Sequence, residues 1–119
     1  MSIDYHNRRF RPVDTTDNGE VGGGTLFHYR QSGDVVWATY DGGGVLLGTL
    51  VATADVQGRL DMRYCHVNTA GQLMTGECRT EPELLPDGRL RLHERWRWTC
   101  GDQSEGESVV EEVRSENET

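Results

Sequence analysis

Two short turns that end in glycine, Thr69-Ala70-Gly71 and Pro86-Asp87-Gly88, separate three stretches in which side-chain character changes at every second residue. The stretches run from Arg59 to Asn68, Gln72 to Pro82 and Arg89 to Thr99. In the first, Leu60, Met62, Tyr64 and His66 alternate with Asp61, Arg63, Cys65 and Val67. In the third, Leu90, Leu92, Glu94, Trp96 and Trp98 alternate with Arg91, His93, Arg95 and Arg97. A period of two sustained over this length is that of half-buried antiparallel strands, not of helices. Each turn can be a three-residue hairpin loop with glycine in the left-handed position.

That turn geometry sets a register. It pairs Asn68 with Gln72 and Leu85 with Arg89. Tyr64 then lies opposite Gly76, and Gly76 opposite Trp98. Met62, Cys78 and Trp96 form a second row, and Leu60, Thr80 and Glu94 a third. On the other face Arg63, Glu77 and Arg97 line up, and Asp61 meets Arg79. Apolar rows on one side and alternating charge on the other are what cross-strand pairs prefer. A slip of one residue would destroy both patterns at once.

The rest of the chain reads the same way. Further strands are expected from Tyr5 to Val13, Thr25 to Gln31, Val35 to Tyr40, Val45 to Asp55 and Val109 to Arg114. No segment has helical periodicity. A meander of about eight short strands with one apolar face can cover that face, and hide its edges, by closing into an up-and-down barrel. The expected fold is therefore all-β, an antiparallel barrel of about eight strands with room for side chains or one small ligand. The chain of 119 residues forms one domain, expected over residues 1–115, with 116–119 as a frayed tail.

The inward face holds more than a core needs. His66 and Glu94 share it with Tyr64, Trp96 and Trp98, and Gly76 leaves space between two of the rings. A Gly42–Gly43 loop places Trp37 opposite Gly48, and a last strand with Val109, Glu111 and Val113 on one side brings in a second carboxylate. Aromatic walls with a few polar groups suit a small-molecule site. The ligand-binding set expected from sequence is thus His66, Glu94, Tyr64, Trp96, Trp98, Trp37 and Glu111. His93 is adjacent to Glu94 and so faces the other way. Trp96 and Trp98 need partners for their indole N–H groups, and Glu94 is within local reach.

Other chemistry finds less support. Val21-Gly-Gly-Gly-Thr25 and Asp41-Gly-Gly-Gly-Val45 fit neither a phosphate-binding loop nor a dinucleotide fingerprint. Too few ligands converge for a metal site, so no metal and no cofactor are expected. No serine or cysteine has a neighbouring base, and catalytic residues are unassigned. The net charge of −8, concentrated between Glu105 and Glu118, disfavours nucleic acid and anionic membranes as partners. Cys65, Cys78 and Cys100 are odd in number, and the first two face opposite ways. Reduced thiols, a start with no apolar leader and the lack of a membrane-length run lead us to expect a cytoplasmic protein.

The segments Asn7–Pro12, Phe27–Arg30, Asp61–Asn68, Leu73–Cys78 and Leu90–Thr99, with Gly101–Ser104, resemble a family of small bacterial proteins. An N-acetylglutamate synthase activity is commonly attached to its members. The resemblance implies a small β-barrel of the avidin and lipocalin-like (calycin) group. It carries no catalytic residues onto this chain and no biotin-binding set. The chain also lacks the helix-opening pyrophosphate loop that an acetyl-CoA-dependent synthase of the common type uses. Three functions follow as expectations: a small-molecule-binding or carrier barrel, an enzyme acting on a small metabolite, and a structural protein with a packed interior, in which case an extensive symmetric interface would make a homodimer.

Overall fold

The computed structural model describes residues 3–114. Eight strands follow one another: β1 (Arg8–Thr15), β2 (Leu26–Ser32), β3 (Val35–Gly42), β4 (Val45–Ala54), β5 (Leu60–Asn68), β6 (Leu73–Leu84), β7 (Leu90–Trp98) and β8 (Glu105–Glu112). Each pairs antiparallel with the next, and β8 returns to β1, so the sheet closes into a barrel. The frayed tail expected at 116–119 lies outside the described residues. Among the described residues no helix is long and apolar enough to cross a membrane.

The two glycine turns set the register of β5, β6 and β7 as expected. The Asn68 N–H donates to the Gln72 carbonyl at 2.9 Å, and the Leu85 N–H to the Arg89 carbonyl at 2.8 Å. Gly71 and Gly88 sit at φ of 81° and 89°, a conformation open to glycine at no steric cost. Tyr64, Gly76 and Trp98 form one row across the three strands, and Met62, Cys78 and Trp96 the next. Outside, the Arg97 Nη2 lies 2.8 Å from Glu77 Oε1. Such half-exposed pairs contribute at most about 1 kcal/mol each, so they fix register more than stability.

Two expectations fail, each for a local reason. The β3–β4 turn is Gly43–Gly44, since Gly42 pairs with Val45, one residue later than the expected Gly42–Gly43 loop, and a bulge between Tyr40 and Gly42 shifts the register once more, so Tyr40, not Trp37, lies opposite Gly48. Trp37 pairs with Val51 on the outer surface and is 37% exposed. The bulge arises where the two glycine-rich stretches meet backbone to backbone. A Cβ on Gly42 would come within 2.0 Å of the Gly24 carbonyl oxygen. In β8 the inward residues are Ser108 and Val110, which leaves Glu111 outside with Arg91, at 2.9 Å from its Nε. The outer arginines of β7 offer that carboxylate a counter-ion, whereas inside it would stand near the carboxyl of Glu94 and lose solvation.

One end of the barrel is packed shut. Residues before β1 fold under it, beginning at Ile3, and the strand starts at Arg8 rather than at Tyr5. Tyr5 is fully buried there and its hydroxyl donates to the Gly58 carbonyl. Phe10, Tyr29, Val36 and Leu92 are each 0% exposed. Phe10 meets Tyr29 edge-on at 4.9 Å, and Tyr5 stacks on Tyr29 at 5.9 Å. Each such side chain contributes roughly 1.5–3 kcal/mol by burial.

Candidate functional site

The opposite half of the barrel holds a cavity. Three strands present an aromatic ring directly opposite a glycine on the next strand: Tyr40 and Gly48, Tyr64 and Gly76, Trp96 and Gly106. A Cβ on these glycines would approach ring atoms to 2.4, 2.1 and 2.3 Å. The missing methyls let each ring lie against the neighbouring backbone and form a wall. Tyr64 and Trp98 meet edge-on at 5.8 Å, and Trp96 and Trp98 at 5.7 Å. Between these walls lies a small cavity of about 50 Å³, open at one mouth. One water needs roughly 10–15 Å³, so a few small groups fit.

The connection between β1 and β2 crosses the mouth. Asn18 Nδ2 donates to the Glu105 carbonyl at 2.8 Å, and the Gly44 N–H to the Glu20 carbonyl at 3.2 Å. The second contact comes from the glycine-rich β3–β4 turn, so close packing of the two glycine stretches delivers Glu20 to the cavity. Glu20 Oε1 lies 2.7 Å from His66 Nε2, and Asn68 Nδ2 donates to Oε2 at 2.9 Å. Tyr40 Oη lies 2.9 Å from His66 Nδ1. A carboxylate only accepts, so the imidazole donates from Nε2, and the Tyr40 hydroxyl donates to Nδ1. His66 is 3% exposed and held from both sides.

Glu94 has a different situation. It lines the cavity, and among the described residues no group hydrogen-bonds its carboxyl. Sequence reasoning offers it to the indoles, but they are served elsewhere. Trp96 Nε1–H donates to Ser108 Oγ at 2.8 Å, and Trp98 Nε1–H to the Asn18 carbonyl at 3.0 Å. Desolvation alone pushes the Glu94 carboxyl up to about 8, so it is largely protonated at neutral pH. Burial also raises the phenols of Tyr40 and Tyr64 well above their ordinary range.

Of the seven residues expected at the site, His66, Glu94, Tyr64, Trp96 and Trp98 line this cavity. Trp37 and Glu111 are on the outer surface. Sequence reasoning missed Tyr40, Glu20 and Ser108. Tyr40 had a readable signal, since it shares the inward parity of Val36 and Ala38. Glu20 had none, because a loop residue obeys no periodicity. His93 points outward to Glu83, at 2.8 Å. Among the described residues no three His, Cys, Asp or Glu side chains converge as a metal site requires.

A closed eight-stranded meander, packed at one end and hollow with mixed aromatic and polar walls at the other, defines a barrel with a cavity suited to a small ligand. The sequence model of a family described as avidin-like protein matches residues 3–113, and the chain belongs to that family. No curated protein and no solved structure matches it. The family match supports the barrel group and does not bear on N-acetylglutamate synthase activity.

Proposed function

We propose that the chain is a small-molecule-binding or carrier barrel that takes its ligand between Trp96, Trp98 and Tyr64, with Glu94 orienting it and His66 at the cavity wall. One observation carries this reading. Glu94 is buried at the cavity wall with unused hydrogen-bonding capacity, while the polar groups around it are paired with one another. A carboxyl that faces a largely apolar cavity without a partner costs stability, which a ligand that pairs with it would recover. Acetyl transfer of the N-acetylglutamate synthase kind is the weaker reading. A pantetheine arm is much longer than a space of about 50 Å³ accepts. A reducing compartment, the cytoplasm, suits the three free thiols.

A fragment screen read by tryptophan fluorescence tests the proposal. The variant Trp37→Phe removes the outer indole, so the remaining signal comes from the cavity. The expected result is a saturable change of equal size in this variant and in the native chain, with affinity lost in Trp98→Ala. A screen in which every signal disappears with Trp37 would overturn the reading.

A further inference from the structure

The charge of the cavity is one-sided. Among the described residues two carboxyls, Glu20 and Glu94, line it, and no arginine does. Glu20 is engaged by His66 and Asn68. Glu94 has no such partner among the described residues. Its cross-strand neighbours are Thr80 and Ser108, and both hydroxyls have other contacts. Thr80 Oγ1 lies 3.6 Å from Cys78 Sγ, and Ser108 Oγ accepts the Trp96 N–H and shares a 2.8 Å hydrogen bond with Thr15 Oγ1. The surrounding walls are ring faces and edges, and a ring face attracts a cation by about 0.5–2 kcal/mol, most strongly where water is excluded. An anionic ligand would find no arginine in the lining to pair with. A neutral one would leave the ring faces without the charge they favour.

Building on the carrier reading above, we propose that the cavity selects small organic cations that donate hydrogen bonds, an alkylammonium or a guanidinium, with the cationic head on Glu94 and the apolar body between Trp96, Trp98 and Tyr64. The space admits a body of a few heavy atoms, which excludes large heads. In the empty cavity Glu94 is held protonated by burial. The other titratable groups that face it stay protonated too: Tyr5 from the N-terminal segment, Tyr29 from β2, Tyr40 from β3, Tyr64 from β5 and Cys78 from β6. His66, on β5, is held by Glu20 and Tyr40 at the same cavity. The ammonium therefore enters as R–NH₃⁺, Glu94 gives up its proton to solvent, and the bound state is R–NH₃⁺ against the Glu94 carboxylate. One proton leaves for each cation bound.

The test compares n-butylammonium, butyramide and butyrate on the Trp37→Phe protein. We expect n-butylammonium affinity to rise about tenfold per pH unit below pH 8 and to level above it. Calorimetry in two buffers of different ionisation enthalpy should show close to one proton released at pH 7. Butyramide should bind at least about tenfold more weakly with no pH dependence, and butyrate more weakly still. Glu94→Gln should lower n-butylammonium affinity at pH 8 by more than about tenfold and abolish its pH dependence. If that variant does not fold, the pH profile and proton count of the Trp37→Phe protein decide alone. Butyramide or butyrate binding as tightly as n-butylammonium, or an n-butylammonium affinity flat in pH, would overturn the cation inference and leave the carrier reading standing. If none of the three probes binds and the fragment screen is silent too, both are overturned.

Discussion

At one end of the barrel Tyr5, Phe10, Tyr29 and Leu92 pack ring to ring and side chain to side chain, each 0% exposed. At the other, Trp96, Trp98, Tyr40 and Tyr64 stand around a hollow with a protonated Glu94 on its wall. The same strands build both ends. β7 contributes Leu90 and Leu92 to the packed end and Glu94, Trp96 and Trp98 to the hollow one. β6 and β8 add Gly76 and Gly106 only where a ring must be seated. Stability is thus concentrated at the plugged end, and the hollow end spends some of it on a buried carboxyl and unfilled space. Division of this kind is expected where a rigid scaffold carries a site.

The largest expected effect is at the packed end. Phe10→Ala should destabilise by about 3–5 kcal/mol in urea unfolding, since Phe10 is fully enclosed. A loss below about 1 kcal/mol would show that this end is not the stabilising one. Next comes Glu94→Gln, read as a function of pH. An acid whose carboxyl is raised from 4.5 to about 8 binds its proton more tightly in the folded state. Its contribution is intact below the unfolded value and is lost as pH rises toward the folded one. The stability of Glu94→Gln relative to the native chain should therefore grow with pH by about 1.4 kcal/mol per unit across that window and then level. A gap that stays constant would place Glu94 in a solvated or paired setting.

Gly76→Ala should cost about 1–3 kcal/mol, because its Cβ would come within 2.1 Å of the Tyr64 ring. Adding Tyr64→Ala should recover part of that loss, which makes the two changes non-additive. Full additivity would mean that the ring is not seated on Gly76. The smallest effect belongs to the packed end again. Among the described residues Tyr29 Oη is the one fully enclosed side-chain polar atom without a hydrogen bond, whereas the unpaired Glu94 carboxyl faces the cavity. Tyr29→Phe should leave stability unchanged or raise it by up to about 1 kcal/mol. Destabilisation beyond about 1 kcal/mol would reveal a partner for that hydroxyl.

The legible part of this molecule is where glycine and alternation agree. Gly71 and Gly88 fix the β5–β6–β7 register, and with it Tyr64, His66, Glu94, Trp96 and Trp98 at the cavity. Where alternation was ambiguous the reading failed. Val35 and Trp37 are as apolar as Val36 and Ala38, so β3 offers two plausible inner faces, and the deciding pair, Tyr40 with Gly48, depends on which two of three consecutive glycines make the turn and on one bulge that no local pattern announces. In β8, Val109 and Val113 outvote Val110 by composition, yet the Trp96 indole takes Ser108 on the inner side and Glu111 falls outside. Glu20 reaches the site through contacts between two glycine-rich loops distant in sequence, which local periodicity does not encode.

The central claim is that one end of the barrel is a ligand site and the other a plug. The three indole N–H resonances report on it directly during titration with n-butylammonium, butyramide and butyrate. Trp96 and Trp98 line the cavity and Trp37 lies on the outer wall. The account predicts that whichever probe binds shifts the Trp96 and Trp98 signals together and saturably, while Trp37 and the ring protons of Tyr5 and Phe10 stay in place. Shifts centred on Trp37 or on the Tyr5 end, or interior indoles that move for none of the probes, would contradict it.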